Sequence, residues 1–197
     1  MGQKAKWLWL VCALAPGALQ AQSSGVAPAG PFFLSLHVAG GTGLVALGGG
    51  YRVAHQRLEP ELLVGYLPHR LSGGKALAIF TLKATYLPFA PTLGHSRWQV
   101  TPVTLGAMVN YTTGRQFFLT NNTAGRYRPG YYWWSSAVRV GALVGLRLSY
   151  LDPRPGSAPR FTSLYSELST NDLHLVSLLT NRSLRLPDVL TLGAGLK

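Results

Sequence analysis

The sequence predicts an all-β fold, an eight-stranded antiparallel up-and-down transmembrane β-barrel behind a cleaved signal peptide. Three observations predict it. Eight segments alternate apolar and polar residues with a period of two, as half-buried strands do. Charged residues make up 12 % of the chain against 47 % hydrophobic, where soluble domains carry ~25 % charge. The first 21 residues combine a basic start, an apolar stretch and a small-residue cleavage site.

Residues 1–21 read as the signal: Lys4 and Lys6, then an apolar run broken by Pro16 and Gly17, then Leu19-Gln20-Ala21. That run is too short and too interrupted for a membrane anchor. The single cysteine, Cys12, lies inside it, so the remaining chain has no disulfide, thiol nucleophile or cysteine metal ligand. Residues 22–31 form a short Gly/Ala/Ser/Pro-rich leader, and 32–197 the barrel.

The clearest strand is 138–150. Val138, Val140, Ala142, Val144, Leu146, Leu148 and Tyr150 form a continuous apolar face, and Arg139, Gly141, Leu143, Gly145, Arg147 and Ser149 the other. Segments 80–86, 103–111 and 190–197 alternate as plainly, and 32–39, 43–53, 58–67 and 161–170 less so. Gly-, Pro- and Asn-rich breakers separate the eight. An even strand count lets the sheet close with both ends of the barrel chain on one side, and the two longest connections, 112–134 and 171–188, then fall on the opposite side, which is the outer side if the chain starts in the periplasm.

Alternation does not say which face meets solvent. Three features favour lipid outside. The polar faces are rich in glycine, which suits a crowded lumen. Their charges have both signs, so Glu59, Glu61 and Glu167 can meet Arg52, Lys83, Arg139 and Arg147 across it. Aromatics gather at strand ends, where Tyr66, Tyr86, Trp98, Tyr111, Trp133, Trp134 and Tyr150 would form interfacial girdles.

Taken together, the signal, eight alternating strands, lumen charges and girdles resemble the small outer-membrane β-barrel proteins of Gram-negative bacteria. Phe117-Phe118, Gly130 to Trp134 and Glu167 to Leu173 are similar to an uncharacterised group within them. The resemblance implies insertion by the barrel-assembly machinery and contact with outer-membrane lipid and lipopolysaccharide. Such barrels commonly finish on an aromatic residue, whereas this sequence finishes Gly195-Leu196-Lys197; the expectation is either a clipped end or another insertion signal.

Some members of that class modify lipids, an activity that would call for a catalytic serine and histidine. His95-Ser96 are neighbours in a Pro/Gly-flanked turn, and His174 and Ser177 do not have the His-x-Ser spacing of lipid A deacylases; no catalytic residue is assigned. His37 shares a polar face with Ser35 and reads as a lumen hydrogen-bond partner. The five histidines show no metal-ligand spacing, and the glycine runs near residues 40 and 50 lack the context of a phosphate cradle, so no metal or cofactor is expected. The formal charge of +12 is scattered rather than striped, which argues against nucleic acid.

The remaining candidates are loop arginines. Arg115, Arg126 and Arg128 alternate with aromatics, and Arg182 and Arg185 lie in the second long connection, where Asp172 would cap a short helix carrying Leu173, Val176 and Leu179 over the barrel mouth or against the other loop. The expected protein is a monomeric outer-membrane barrel with a packed polar lumen and a structural or surface-ligand-binding role. A lipid-modifying outer-membrane enzyme and a secreted soluble barrel with an apolar ligand are the alternatives.

Overall fold

A computed structural model describes residues 32–115, 117–119, 135–153, 160–181 and 183–197. The expected signal and leader, and Trp133 and Trp134, lie outside them. The strands are β1 (Phe32–Ala39), β2 (Val45–Tyr51), β3 (Leu58–Leu67), β4 (Leu77–Tyr86), β5 (Trp98–Thr112), β6 (Val138–Asp152), β7 (Arg160–Asn171) and β8 (Thr191–Leu196). Each pairs antiparallel with its sequence neighbour, and β1 pairs with β8, closing the barrel. A helix, α1 (Asp172–Thr180), and a 3-10 turn, Leu186–Val189, join β7 to β8. The β1–β2, β3–β4, β5–β6 and β7–β8 connections lie at one end, called upper here; the other connections lie at the lower end.

The registers fix the shape. Partners run from Phe33 through Gly50, Glu61, Lys83, Met108 and Gly141 to Asn171. Carrying the last two registers on unchanged returns the path to β1 about ten residues from its start, the stagger that closure demands. With ~3.3 Å rise and ~4.8 Å between strands, the strands tilt by about 40°. A strand as long as β3 or β4 then spans about 25 Å along the axis, and eight strands enclose an interior just wide enough for side chains.

Strand limits differ from the sequence reading where turns intrude. The segment expected at 43–53 shortens to β2 because Gly43 has φ 116° and Ala54, His55 and Gln56 all take left-handed angles in the turn that follows. In β5 the register shifts between Thr101 and Thr104, leaving Pro102 and Val103 both exposed. This bulge reverses the alternation: Trp98 and Val100 precede it in phase with Pro102, whereas Val103, Leu105, Ala107 and Val109 follow in the opposite phase. Without the extra residue, one half of β5 would turn its apolar side inward. Pro102 needs no ladder partner there.

Polarity is inverted relative to a soluble barrel. Ser35, His37, Thr81, Thr85, Thr104, Asn110, Ser149 and Ser169 are buried in the lumen with the charged groups, alongside a few apolar residues such as Leu63, Met108 and Leu143. Outside, Leu34, Leu47, Leu62, Leu82, Leu105, Leu146, Leu164 and Leu192 are exposed on successive strands and form a continuous apolar belt. Within the described strands, Glu59, Glu61, Lys83, Arg139, Arg147 and Glu167 occupy the inner face; Asp152 and Arg160 are register partners at the lower ends of β6 and β7.

Aromatic side chains border the belt in two tiers. Tyr66, Phe80 and Tyr111 lie toward the upper end, with Phe80 and Tyr111 centroids 6.5 Å apart. At the lower end, Phe32 meets Tyr51 edge-on at 5.4 Å, Trp98 meets Tyr150 at 5.0 Å, and Tyr86 ends β4. The described members of the expected girdle thus divide between the two rims.

Candidate functional site in the barrel lumen

Period-two alternation sends Glu59 and Glu61 of β3, Lys83 of β4, Arg147 of β6 and Glu167 of β7 to the same interior, and closure brings them within bonding distance. Glu59 is the hub. Its carboxylate accepts a two-pronged pair from Arg147, Nη1 to Oε1 at 2.6 Å and Nη2 to Oε2 at 2.7 Å. It also accepts from Arg52 Nε at 3.0 Å and Lys197 Nζ at 2.9 Å. The fork geometry of Arg147 matches a carboxylate in a way that a lysine would not.

Two lysines extend the hub. Lys197 Nζ donates to Glu61 Oε1 at 3.0 Å, so one ammonium bridges both β3 carboxylates. Lys83, 1 % exposed, donates to both Glu167 oxygens, at 2.9 and 2.7 Å, and lies 3.2 Å from Glu61 Oε1. Lys83 can be held charged in so buried a position because two carboxylates surround it.

At the centre stands Tyr165. Its hydroxyl is 2.9 Å from His37 Nδ1, and His37 Nε2 lies 3.6 Å from Glu167 Oε1. Lys83 Nζ and Lys197 Nζ sit 5.0 and 5.1 Å from the Tyr165 ring centroid, and the Arg147 guanidinium 6.0 Å, within cation–π range. The glycines opposite are there for room: a Cβ on Gly195 would lie 2.4 Å from the Tyr165 ring and hydroxyl, and one on Gly193 2.8 Å from His37 Nε2. Lower down, Arg52 is stacked near Phe161 at 4.9 Å and Phe33 at 5.9 Å, facing the lower mouth.

Of the seven charges expected in the lumen, six meet in this network. Arg139 does not: it pairs with Asp172 at 3.2 Å near the upper rim, because β7 runs straight into α1 and places that carboxylate over β6. Sequence reasoning left out Lys197 and Tyr165. Both carried a signal, since Lys197 continues the parity of Gly193 and Gly195, and Tyr165 that of Ser163 and Glu167.

The helix cap is a correction. Asn171, not Asp172, caps α1: its Oδ1 accepts the His174 N–H at 2.9 Å, while Asp172 occupies the first helical position. Among the described residues no residue of α1 is buried, and Leu173, Val176 and Leu179 are exposed; most of the other long connection, their expected packing partner, lies outside the described residues.

The loop arginines divide. Arg115 is exposed just beyond β5, and Arg185 is exposed with its backbone N–H donating to Asp188 at 2.8 Å; Arg126, Arg128 and Arg182 lie outside the described residues. His95 and Ser96 are exposed in the lower β4–β5 connection, where the Ser96 hydroxyl accepts the Trp98 N–H at 3.2 Å. The lumen chemistry is therefore that of interlocked ion pairs that tie distant strands together.

Compared with known proteins, the chain matches no protein family model and no curated protein sequence.

Proposed function

We infer that this chain is an outer-membrane β-barrel with a closed, ion-paired lumen, acting as a structural or surface-binding element through the basic and aromatic connections of its upper end. The observation that carries the reading is the pairing of an apolar belt on the outside with charged residues on the inside. In water, a belt running round the whole barrel would far exceed the ~300–600 Å² apolar patch of an ordinary monomer. In lipid it is the required surface, since a closed barrel leaves no backbone edge to hydrate and its belt height of about 25 Å fits a hydrocarbon core. The two aromatic tiers sit where the interfaces would be.

Membrane fractionation joined to a heat-modifiability gel tests location and closure together. The protein is expected to sediment with outer membranes and to migrate faster unheated than boiled. Recovery in the aqueous phase without detergent would refute the reading and favour a soluble secreted barrel. A stable, large conductance in planar bilayers would refute the plugged lumen.

Upper-end binding rests on charge. Arg115 and Arg185, with Arg126, Arg128 and Arg182, offer guanidinium groups suited to phosphate on lipopolysaccharide. The Arg115→Ala/Arg185→Ala double variant is expected to weaken lipopolysaccharide binding while leaving heat modifiability unchanged. Equal binding by variant and parent would remove these two arginines from the site.

A further inference from the structure

The closing seam does not reach the lower rim. β8 pairs with β1 from Ala39–Gly193 down to Leu36–Leu196, and with β7 from Ser169–Thr191 down to Leu164–Leu196. Lys197 adds one more rung, exchanging backbone bonds with Ser163 at 2.8 Å. Below it, Phe32, Phe33 and Leu34 of β1 face Arg160, Phe161 and Thr162 of β7 with no described strand between them, and β1 and β7 do not pair with each other. Two strand spacings set these edges about 10 Å apart. The 71 % exposure of Leu34 fits such a notch, since its one described strand partner is Gly49.

Behind the notch stands Arg52. It follows β2, yet its guanidinium lies 5.9 Å from the Phe33 ring of β1 and 4.9 Å from the Phe161 ring of β7, so the side chain crosses behind β1 to the gap. Its Nε donates to Glu59, and among the described residues its two terminal nitrogens have no hydrogen bond. The network holds Arg52, Lys83, Arg147 and Lys197 against Glu59, Glu61 and Glu167, one cation in excess, and Arg52 is its most exposed member. A second donor points the same way. Ser163 N–H bonds toward β8, so two residues along the strand the Phe161 N–H turns into the notch.

Resting on the reading that the belt faces lipid, we propose that the notch is a lateral site for the phosphate of one anionic phospholipid of the lower leaflet, held by Arg52 and the Phe161 N–H. Depth and charge select this occupant. Tyr51, next to Arg52, and its register partner Phe32 belong to the lower aromatic tier, so the guanidinium lies at headgroup level. The planar fork of arginine suits a phosphate, the excess cation favours an anion, and the acyl chains run up the outside past Leu34.

The test purifies the chain in neutral detergent with equal phosphatidylglycerol and phosphatidylcholine and counts retained lipid by native mass spectrometry. One phosphatidylglycerol per barrel is expected, in clear excess over phosphatidylcholine. Arg52→Gln should lower its retention about fivefold, the effect of one cation at an anionic surface. Arg57→Gln, exposed in the same lower turn, should leave it unchanged. Thr162→Trp crowds the exposed β7 edge without touching a charge and should also lower retention, which keeps the test open if Arg52→Gln does not fold. Retention unaltered by Arg52→Gln or by Thr162→Trp, or an equal loss from Arg57→Gln, overturns the site. So does a parent that is heat-modifiable but keeps no phosphatidylglycerol, and in that case the membrane reading stands. Displacement by inorganic phosphate at equal concentration overturns the lipid source and leaves a site for soluble phosphate. A parent that stays in solution without detergent removes the membrane reading and this proposal together.

Discussion

Replacing Glu59 with glutamine should damage this barrel more than any other single loss of carboxylate charge. The side chain is 0 % exposed and takes hydrogen bonds from Arg147, Arg52 and Lys197. Glutamine nearly preserves the volume but removes the charge, and its amide nitrogen cannot accept one arm of the Arg147 fork. Breaking a buried pair from one side typically costs about 3–5 kcal/mol, because the abandoned charge stays buried. Glu61 still holds Lys197, which limits the loss, but Arg147 and Arg52 have no second carboxylate among the described residues. With an m-value of ~2 kcal/mol per molar urea, that loss lowers the unfolding midpoint by about 2 M. The assay is urea unfolding in vesicles, followed by the gel shift between folded and unfolded forms. Asp188→Asn sets the baseline, since that exposed carboxylate serves only a cap that asparagine also provides; about 0.5 kcal/mol or less is expected there. Adding Arg147→Met to Glu59→Gln should bring no further loss, because it removes a stranded cation. A Glu59→Gln midpoint equal to that of Asp188→Asn, or strict additivity in the double variant, would refute the hub.

Three further outcomes follow from the same geometry. Leu82→Arg alters an exposed side chain, a change within about 0.5 kcal/mol in a soluble protein but worth about 2–4 kcal/mol in mid-membrane; folding titrations into vesicles read the difference, and a silent substitution would count against lipid contact. Gly195→Val pushes a side chain into Tyr165 and should lower stability by about 1–3 kcal/mol, with loss of the His37–Tyr165 bond visible as a shifted histidine resonance; an unmoved resonance would show that the lumen has slack. The β1–β8 seam runs only from Leu36–Leu196 to Ala39–Gly193, whereas β5–β6 is paired from Trp98–Tyr150 to Tyr111–Val138, so seam amides should exchange with deuterium first; slower exchange there than in β5 would place the weakest line elsewhere.

Local rules in the sequence reached different depths in different strands. In β6 and β8 the alternation alone placed every inward residue, because one face is apolar throughout and strand parity is a local property. In β5 it failed below Val103, because the bulge reverses the phase and no residue type announces one beyond the proline itself. Parity also put the six network charges and Lys197 inside, but not their pairing. Lys83 finds Glu167 and Arg147 finds Glu59 only through the registers of intervening strands, which a single sequence does not carry. The helix lies beyond the reach of strand parity: Asp172 pairs with Arg139 only because β7 runs straight into α1, a continuity that the sequence pattern of either element alone does not carry.

The polarity of the wall, apolar outside and charged inside, bears on why the lumen is ionic at all. An apolar lumen inside an apolar wall would give each strand two similar faces, and a one-residue slip that turns a strand inside out would then meet little resistance. Charges on one face only remove the ambiguity, since a one-residue slip of β3, β4, β6 or β7 turns a glutamate, lysine or arginine to the outer surface. The network is moreover drawn from β3, β4, β6 and β7 together with Arg52 after β2 and Lys197 after β8, so Lys197 meets Glu59 only when the first and last strands have come together. Buried ion pairs contribute little net stability against well-packed apolar substitutes, but they penalise incomplete arrangements heavily. A barrel whose β1–β8 seam is short needs such a penalty more than it needs added stability, and an open barrel would leave Lys197 without Glu59 and Glu61.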